Sequence, residues 1–369
     1  MVAHIMGKMV GGGVENFVMN YYRNINRNKI QFDFICDEDS TNIPYDEIKS
    51  LGGKVILIPP YQKIFSYQRA LKKVLQEGNY KIVHSHINTL SVFSLFAATR
   101  AKVPIRIAHS HSTSNPCEYK KNIMKNMLRP FSKLCATDYF ACSDEAGIYQ
   151  FGKKVFDKKQ ITIINNAIDI EKYQYNEKVR KAFRKKYGIK DDYLVLGHAG
   201  RFSSSKNHNL LIDILEFCYK ENKNVVLLLA GSGPLEKKIK EKVKKLNLED
   251  NVRFLGQIDN VNELLQCVDI FVLPSLYEGL GLVLIEAQAA GCYVVASDKV
   301  PEQARVCDDF KFISLQNDVQ VWAKEILNVK LEKRKNNFTN LEIGGYNIKK
   351  EAVKLENIYI ELIDKSDKK

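Results

Sequence analysis

The sequence predicts an α/β protein of two Rossmann-like domains that face each other across a cleft. Short apolar runs of strand length alternate with helical segments through both halves of the chain, the signature of parallel sheets covered on both faces. The strand candidates end in Gly, Pro, Ser or His. Those residue types suit the carboxyl ends of strands, where open α/β sheets bind their ligands. The length of 369 residues fits two domains of about 150 residues better than one.

In the first half, Val14, Phe17, Val18, Tyr21, Tyr22 and Ile25 recur at helical spacing and predict a helix over 14–26 with one buried stripe. Strands are expected at 31–36 (QFDFIC), 54–59 (KVILIP), 80–86 (YKIVHSH) and 104–111 (PIRIAHSH), with a buried helix at 91–102. The second half repeats the style, with strands expected at 193–201, 224–231, 252–256, 269–274 and 293–297. Residues 171–192 are polar and lysine-rich and read as the linker. Domains are therefore expected at 1–170 and 171–345. A last helix at 349–364 can close either one, so that 346–369 is free to pack back on the first.

Composition narrows the class. Hydrophobic residues make up 45% and charged residues 27%, the balance of a folded chain. No stretch approaches the ~18 uninterrupted apolar residues of a membrane span, and the opening MVAHIMGKMVGGG is too short an apolar run for a secretory signal. The eight cysteines show no CxxC pair and no metal-ligand spacing. They read as reduced thiols, which favours the cytoplasm and sets zinc aside.

The net charge of +13 comes mostly from lysine, dense at 118–134 and 178–186. No zinc finger, RNP-type aromatic motif or basic repeat accompanies it, so nucleic acid is not an expected partner. An anionic membrane or a phosphorylated lipid fits the charge, and so does a solvated lysine-rich surface. In 118–134, Ile123, Met127, Phe131 and Leu134 fall on one face, with Lys120, Lys121, Lys125, Arg129 and Lys133 interspersed and Pro130 interrupting. A basic amphipathic helix lying peripherally on the inner face of the plasma membrane stands here beside a helix packed on its own domain.

The stretch LPSLYEGLGLVLIEAQAAGCYVVAS, 273–297, carries the most chemistry. A strand ends at Pro274, a glycine loop follows, and an apolar helix begins near Gly281. Gly279 and Gly281 leave backbone N–H groups uncovered at that helix N-terminus, an anion site suited to a diphosphate. Glu286, about a turn and a half further on, can accept hydrogen bonds from ribose hydroxyls. Its neighbours are apolar or small, and a buried carboxylate needs a partner. Glu278 precedes the helix, where a sugar ring would lie.

Glu278-x7-Glu286, the Arg201–Lys206 pair in GRFSSSKN, the AGSGPLE loop at 230–236 and VRFLG at 252–256 together resemble the large retaining glycosyltransferase family of GT-B architecture, which includes many bacterial capsule and exopolysaccharide enzymes. MGKMVGGGVENFVMN, QFDFIC, IVHSH and RIAHSHST extend the resemblance over nearly the whole chain. The resemblance implies that Arg201 and Lys206 neutralise the donor diphosphate with no metal and no cofactor. It implies backbone contacts from Leu255 and Gly256 to the nucleobase, from Leu282 and Gly281 to the phosphate, and from the Gly231 loop to the donor, with Glu286 on the ribose. Glu278 and His111 are the remaining catalytic candidates. A histidine after the RIAHSHST-type strand contacts the donor sugar in the family; His111 matches best, with His109 the runner-up. Gly12 and Gly13 of the Gly11–Gly13 triplet are expected near the donor phosphate or acceptor.

Some positions depart from the family pattern. IINNAID at 163–169 lacks the usual proline and glycine but keeps Asn166, which stays a donor-side candidate, and Asp169. DKVPE at 298–302 keeps the proline and glutamate without the glycines. Asp37-Glu38-Asp39 mimics a metal-binding DxD but reads as an acidic surface loop. The expected reaction moves a hexosyl group, with retention, from a nucleotide sugar (UDP first among candidates) to a hydroxyl of a growing, lipid-linked capsular or exopolysaccharide glycan. A sugar-nucleotide epimerase or hydrolase of the same architecture, or a silent sugar-nucleotide-binding regulatory subunit, are the alternatives.

Overall fold

Two parallel sheets carry the fold of the computed structural model, which describes residues 1–112, 119–331 and 333–368. The chain divides into two units, Met1–Ala167 with Asn347–Lys369, and Ile168–Tyr346. The first unit holds β1 (Val2–Gly7), β2 (Phe32–Asp37), β3 (Val55–Ile58), β4 (Ile82–Ser85), β5 (Ile105–Ser110), β6 (Asp138–Ala141) and β7 (Ile161–Ile163), in the order β3-β2-β1-β4-β5-β6-β7. The second holds β8 (Leu194–Ala199), β9 (Val225–Ala230), β10 (Val252–Gly256), β11 (Ile270–Leu273), β12 (Tyr293–Ser297) and β13 (Phe310–Ile313), in the order β10-β9-β8-β11-β12-β13. Each sheet follows the doubly wound order in which the chain reverses direction beside its first strand. Ligands bind outside the carboxyl ends of the strands at that switch point.

Alternation within the strands explains why both faces of each sheet are covered. On β1, Val2 and Met6 enter one apolar cluster while Ala3 and Ile5 enter the cluster on the opposite face. On β9, Val226, Leu228 and Ala230 face one side and Val225, Leu227 and Leu229 the other. The closing helix, Ile348–Asp367, sends Ile348, Ala352, Leu355 and Tyr359 into the first unit's core at helical spacing. Its buried Glu356 accepts from Lys29 Nζ at 2.9 Å and from the backbone N–H of Asn26 at 3.2 Å.

One expectation needs correcting. The segment 171–192 is not a bare linker. It contains the helix Glu177–Lys186 of the second unit, held because Asp269 accepts from Arg180 at 2.7 Å and from the buried Arg184 at 3.1 Å. In the segment 118–134, Ile123, Met127, Phe131 and Leu134 are all exposed. The helix there spans Tyr119–Leu128, and the side chains of Lys120 and Lys121 lie outside the described residues.

Candidate active site

The second sheet's switch point lies between β8 and β11, and the loops that leave those two strands carry the charged candidates. After β8 come the exposed Arg201 and, at the end of a short 3₁₀ turn, Lys206. After β11 come Ser275 and Glu278. The two loops are joined: Lys206 Nζ donates to Glu278 Oε2 at 2.5 Å, Ser275 Oγ donates to the same oxygen at 3.3 Å, and the Leu276 N–H donates to the Ser205 carbonyl at 2.7 Å. Both partners of the ion pair are about four-fifths withdrawn from water, with side-chain exposures of 17% and 16%. Gly231, with φ +127°, closes the loop after β9 against this site, because a Cβ there would stand 2.1 Å from the Gly200 carbonyl oxygen.

The helix Leu282–Ala289 opens at Gly281, which sits in the left-handed region at φ +74° and offers no side-chain cap. Its first N–H groups and the positive end of its dipole are therefore available to an anion. Glu286, half-buried on this helix, has its Oε1 held by the Tyr173 hydroxyl at 2.9 Å. Burial pushes its carboxyl above the ordinary glutamate value, and the Tyr173 bond opposes that shift. Tyr173 is a site residue that the sequence reading missed. At the edge of the sheet the register between β10 and β9 skips Leu255, between Phe254 and Gly256, so Leu255 stands out of the ladder at the strand's carboxyl end.

In the first unit, the glycine triplet precedes the helix Gly13–Asn24, and here the molecule supplies its own anion. Glu15 accepts from the N–H of Gly12 at 2.7 Å and from that of Val10 at 2.9 Å. An incoming phosphate at Gly12 and Gly13 has to displace that carboxylate. Asn166 belongs to the same unit, and its side-chain oxygen is buried without a partner.

The histidines form a packed cluster. His4 Nδ1 pairs with His86 Nε2 at 2.8 Å, and His86 Nδ1 with His111 Nε2 at 2.9 Å. His84 bridges Tyr359 OH at 2.6 Å and His109 Nδ1 at 2.9 Å. His109 lies within β5 and is fully buried, while His111 just beyond the strand is half-buried. Burial pushes His4 and His111 down to about 3. It also lowers His84, His86 and His109, with neighbouring histidines adding to the effect. All five are neutral near pH 7, so His111 can orient a hydroxyl but holds no charge there. Ring nitrogens of His4, His84 and His86, and of His86, His109 and His111, lie within 4.8 Å of one another; among the described residues these two triplets have metal-ligand spacing.

The acidic run 37–39 is not wholly a surface loop: Asp37 is buried at the end of β2, and Glu38 and Asp39 are tied to lysines. Asp39 accepts from Lys8 at 2.7 Å and Glu38 from Lys63 at 3.0 Å. Burial, reinforced by Asp39, pushes Asp37 up to about 6. Among the described residues no helix is long and apolar enough to cross a membrane.

Comparison with known proteins identifies this architecture. Residues 179–340 match the family described as Glycosyl transferases group 1, and residues 11–172 match Glycosyltransferase Family 4. EpsF of Bacillus subtilis (strain 168), named as a glycosyltransferase, is 32% identical over 97% of this chain and 96% of its own. CapH of Staphylococcus aureus, a capsular polysaccharide biosynthesis glycosyltransferase, is 27% identical over 97% of this chain and 98% of its own. The UDP-Gal:alpha-D-GlcNAc-diphosphoundecaprenol alpha-1,3-galactosyltransferase of Escherichia coli is 24% identical over 98% of this chain and 97% of its own. Among solved structures, HepE of Anabaena in complex with UDP-glucose shares the fold with a TM-score of 0.73, at 17% identity, covering 100% of this chain and 98% of that one. The chain belongs to the glycosyl transferases group 1 family and is a glycosyltransferase of GT-B fold.

Proposed function

We propose that the protein is a retaining hexosyltransferase that takes its sugar from a UDP-sugar and adds it to a hydroxyl of a growing, lipid-linked capsular or exopolysaccharide glycan. The observation that carries this reading is the Lys206–Glu278 ion pair at the switch point of the second sheet. In transfer, the bond from the anomeric carbon to the diphosphate breaks and negative charge grows on the leaving phosphate. Lys206 turns from Glu278 to that phosphate. Arg201, whose guanidinium has no partner among the described residues, joins it. The uncapped helix terminus at Gly281 and Leu282 adds backbone donors. Two cations and a helix dipole stabilise such charge without a metal ion or other cofactor.

Oε2 of Glu286 takes the ribose hydroxyls, Leu255 and Gly256 meet the base, and the Gly231 loop borders the donor. Released from Lys206, Glu278 contacts the transferred sugar. In the first unit, His111 orients a sugar hydroxyl as a neutral ring, with Gly12, Gly13 and Asn166 beside it and His109 supporting it from the core. Retention is what the family resemblance implies; with no carboxylate assigned as nucleophile, the leaving phosphate oxygen takes the acceptor hydroxyl's proton. UDP and a lipid-linked acceptor are supported by the name of the Escherichia coli relative, and UDP also by the UDP-glucose in complex with HepE. Such an acceptor places the enzyme at the cytoplasmic face of a membrane.

A thermal-shift screen against UDP, GDP, ADP and their sugars tests the donor. A ligand at 100 times its dissociation constant adds about 2.7 kcal/mol of stability, so UDP and one UDP-sugar are expected to raise the melting temperature. A shift with GDP or ADP alone would reject the UDP assignment.

A further inference from the structure

Five of the seven histidines, His4, His84, His86, His109 and His111, lie in one hydrogen-bonded layer on the first sheet. Side chains two apart on a strand point to one face, so His84 and His86 share a face, as do His109 and His111. Register brings the pairs together. His4 stands opposite His84 between β1 and β4, and His84 opposite Ile107 between β4 and β5, so His109 comes beside His86. A histidine pair at i and i+2 with a third histidine on the next strand converges on one point. In His86, His109 and His111, one ring nitrogen of each lies within 4.8 Å of the others.

The rest of the layer orients that triplet. His4 Nδ1 occupies His86 Nε2 at 2.8 Å, which leaves His86 Nδ1, 2.9 Å from His111 Nε2. His84 Nε2 occupies His109 Nδ1 at 2.9 Å, and the Tyr359 hydroxyl holds His84 from behind at 2.6 Å. His109 Nε2 is then buried with no hydrogen-bond partner. A buried polar atom left unpaired needs an account, and a metal ion supplies one. The His111 main-chain N–H donates to Asn88 Oδ1 at 2.7 Å, which fixes the residue just beyond its strand. Phe17 covers His109 and His111 edge-on, with ring centroids at 5.2 and 5.0 Å. Metal-binding imidazoles keep their second nitrogen in hydrogen bonds of this kind, behind an apolar wall.

We propose that His86, His109 and His111 form a three-imidazole site for a transition metal, zinc first. The triplet contains no carboxylate, and nitrogen ligands alone suit zinc, copper or nickel rather than magnesium, calcium or manganese. Tetrahedral zinc at about 2.0–2.1 Å from each nitrogen sets the nitrogens about 3.3 Å apart. The His86–His111 pair therefore opens by a few tenths of an ångström. Water or a hydroxyl takes the fourth position beside half-buried His111. A bound metal occupies the lone pair with which His111 orients a sugar hydroxyl, so it inhibits transfer and is not a cofactor of it. That consequence rests on the role proposed for His111 above; the binding does not.

The untagged full chain, stripped with chelator and dialysed, is titrated with zinc chloride by calorimetry and with cobalt chloride by visible absorption. One zinc per chain is expected, together with the intense bands of four-coordinate cobalt, which zinc abolishes. His4→Phe keeps all three ligands but removes the hydrogen bond that orients His86, and is expected to weaken zinc binding by about 10–100-fold. His111→Ala removes a ligand and is expected to weaken it by at least as much. A cooperative melting transition of the metal-free variants shows that the fold is kept, and half-buried His111 is the position that tolerates truncation. Binding without one-to-one saturation, cobalt that keeps its six-coordinate aqueous spectrum, or wild-type zinc affinity in His111→Ala would overturn the proposal. One tightly bound zinc that leaves transfer unslowed would uphold the metal site and reject the role given to His111.

Discussion

Glu286 keeps one carboxylate oxygen against Tyr173, and the other has no partner among the described residues. In the proposed donor site that second oxygen holds the ribose, so Glu286→Ala is expected to weaken UDP binding by about 1.5–3 kcal/mol, the range for hydrogen bonds to a charged group. Calorimetry that finds wild-type affinity in the folded variant removes the assignment. The carboxylate must be ionised to accept from two hydroxyls, and burial raises its pKa above 4.5. UDP affinity should therefore start to fall at a higher pH, on acidification, than an ordinary glutamate allows. Tyr173→Phe deletes the hydrogen bond that lowers this pKa, so it should move the onset higher still. An onset unmoved by Tyr173→Phe would detach the pH dependence from this pair.

At the scale of elements, Asp269 fastens the helix Glu177–Lys186 to the second sheet. It receives Arg180, Arg184 and the Val195 N–H at 2.9 Å, and it is 9% exposed. Asp269→Ala leaves buried Arg184 without its counter-charge and is expected to cost about 3–5 kcal/mol, read as the change in free energy of denaturant unfolding. A loss below 1 kcal/mol, roughly that of a surface pair, would mean that the helix is held by other contacts. This helix was illegible in the sequence because its buried side is carried by an arginine and Phe183 rather than an apolar stripe. The β9, β11 and β12 strands were legible as nearly continuous apolar runs. β1, with a histidine in VAHIMG, the short β6, and the edge strands β7 and β13 were not. Arg201, Lys206, Glu278 and Glu286 stood out as candidates because each follows a recognisable strand or glycine turn. Their neighbours did not: Tyr173 meets Glu286 across 113 positions and Tyr359 meets His84 across 275, distances over which no local pattern speaks.

For the whole molecule, the neutral histidine cluster couples folding to pH. His4 and His111 sit at about 3 in the folded chain against an ordinary 6.5. Below 6.5 the unfolded chain binds protons that the folded one refuses, so their stabilisation is complete above that pH. It is lost progressively down to about 3, at about 1.4 kcal/mol per pH unit for each histidine. Unfolding midpoints should accordingly drop between pH 7 and 5, and a flat profile over that window would count against a neutral cluster. In the proposed reaction, the diphosphate of a UDP-sugar is held at the second switch point by Arg201, Lys206 and a helix terminus, without metal. The direct measurement is the rate of sugar transfer to a lipid-linked acceptor in excess chelator, for wild type and Lys206→Ala. Wild type is expected to keep its rate, while Lys206→Ala falls by about 10²–10³, as when one fixed donor to a developing charge is removed. Near-wild-type transfer by Lys206→Ala, or a wild-type rate abolished by chelator and restored by manganese, would contradict the account.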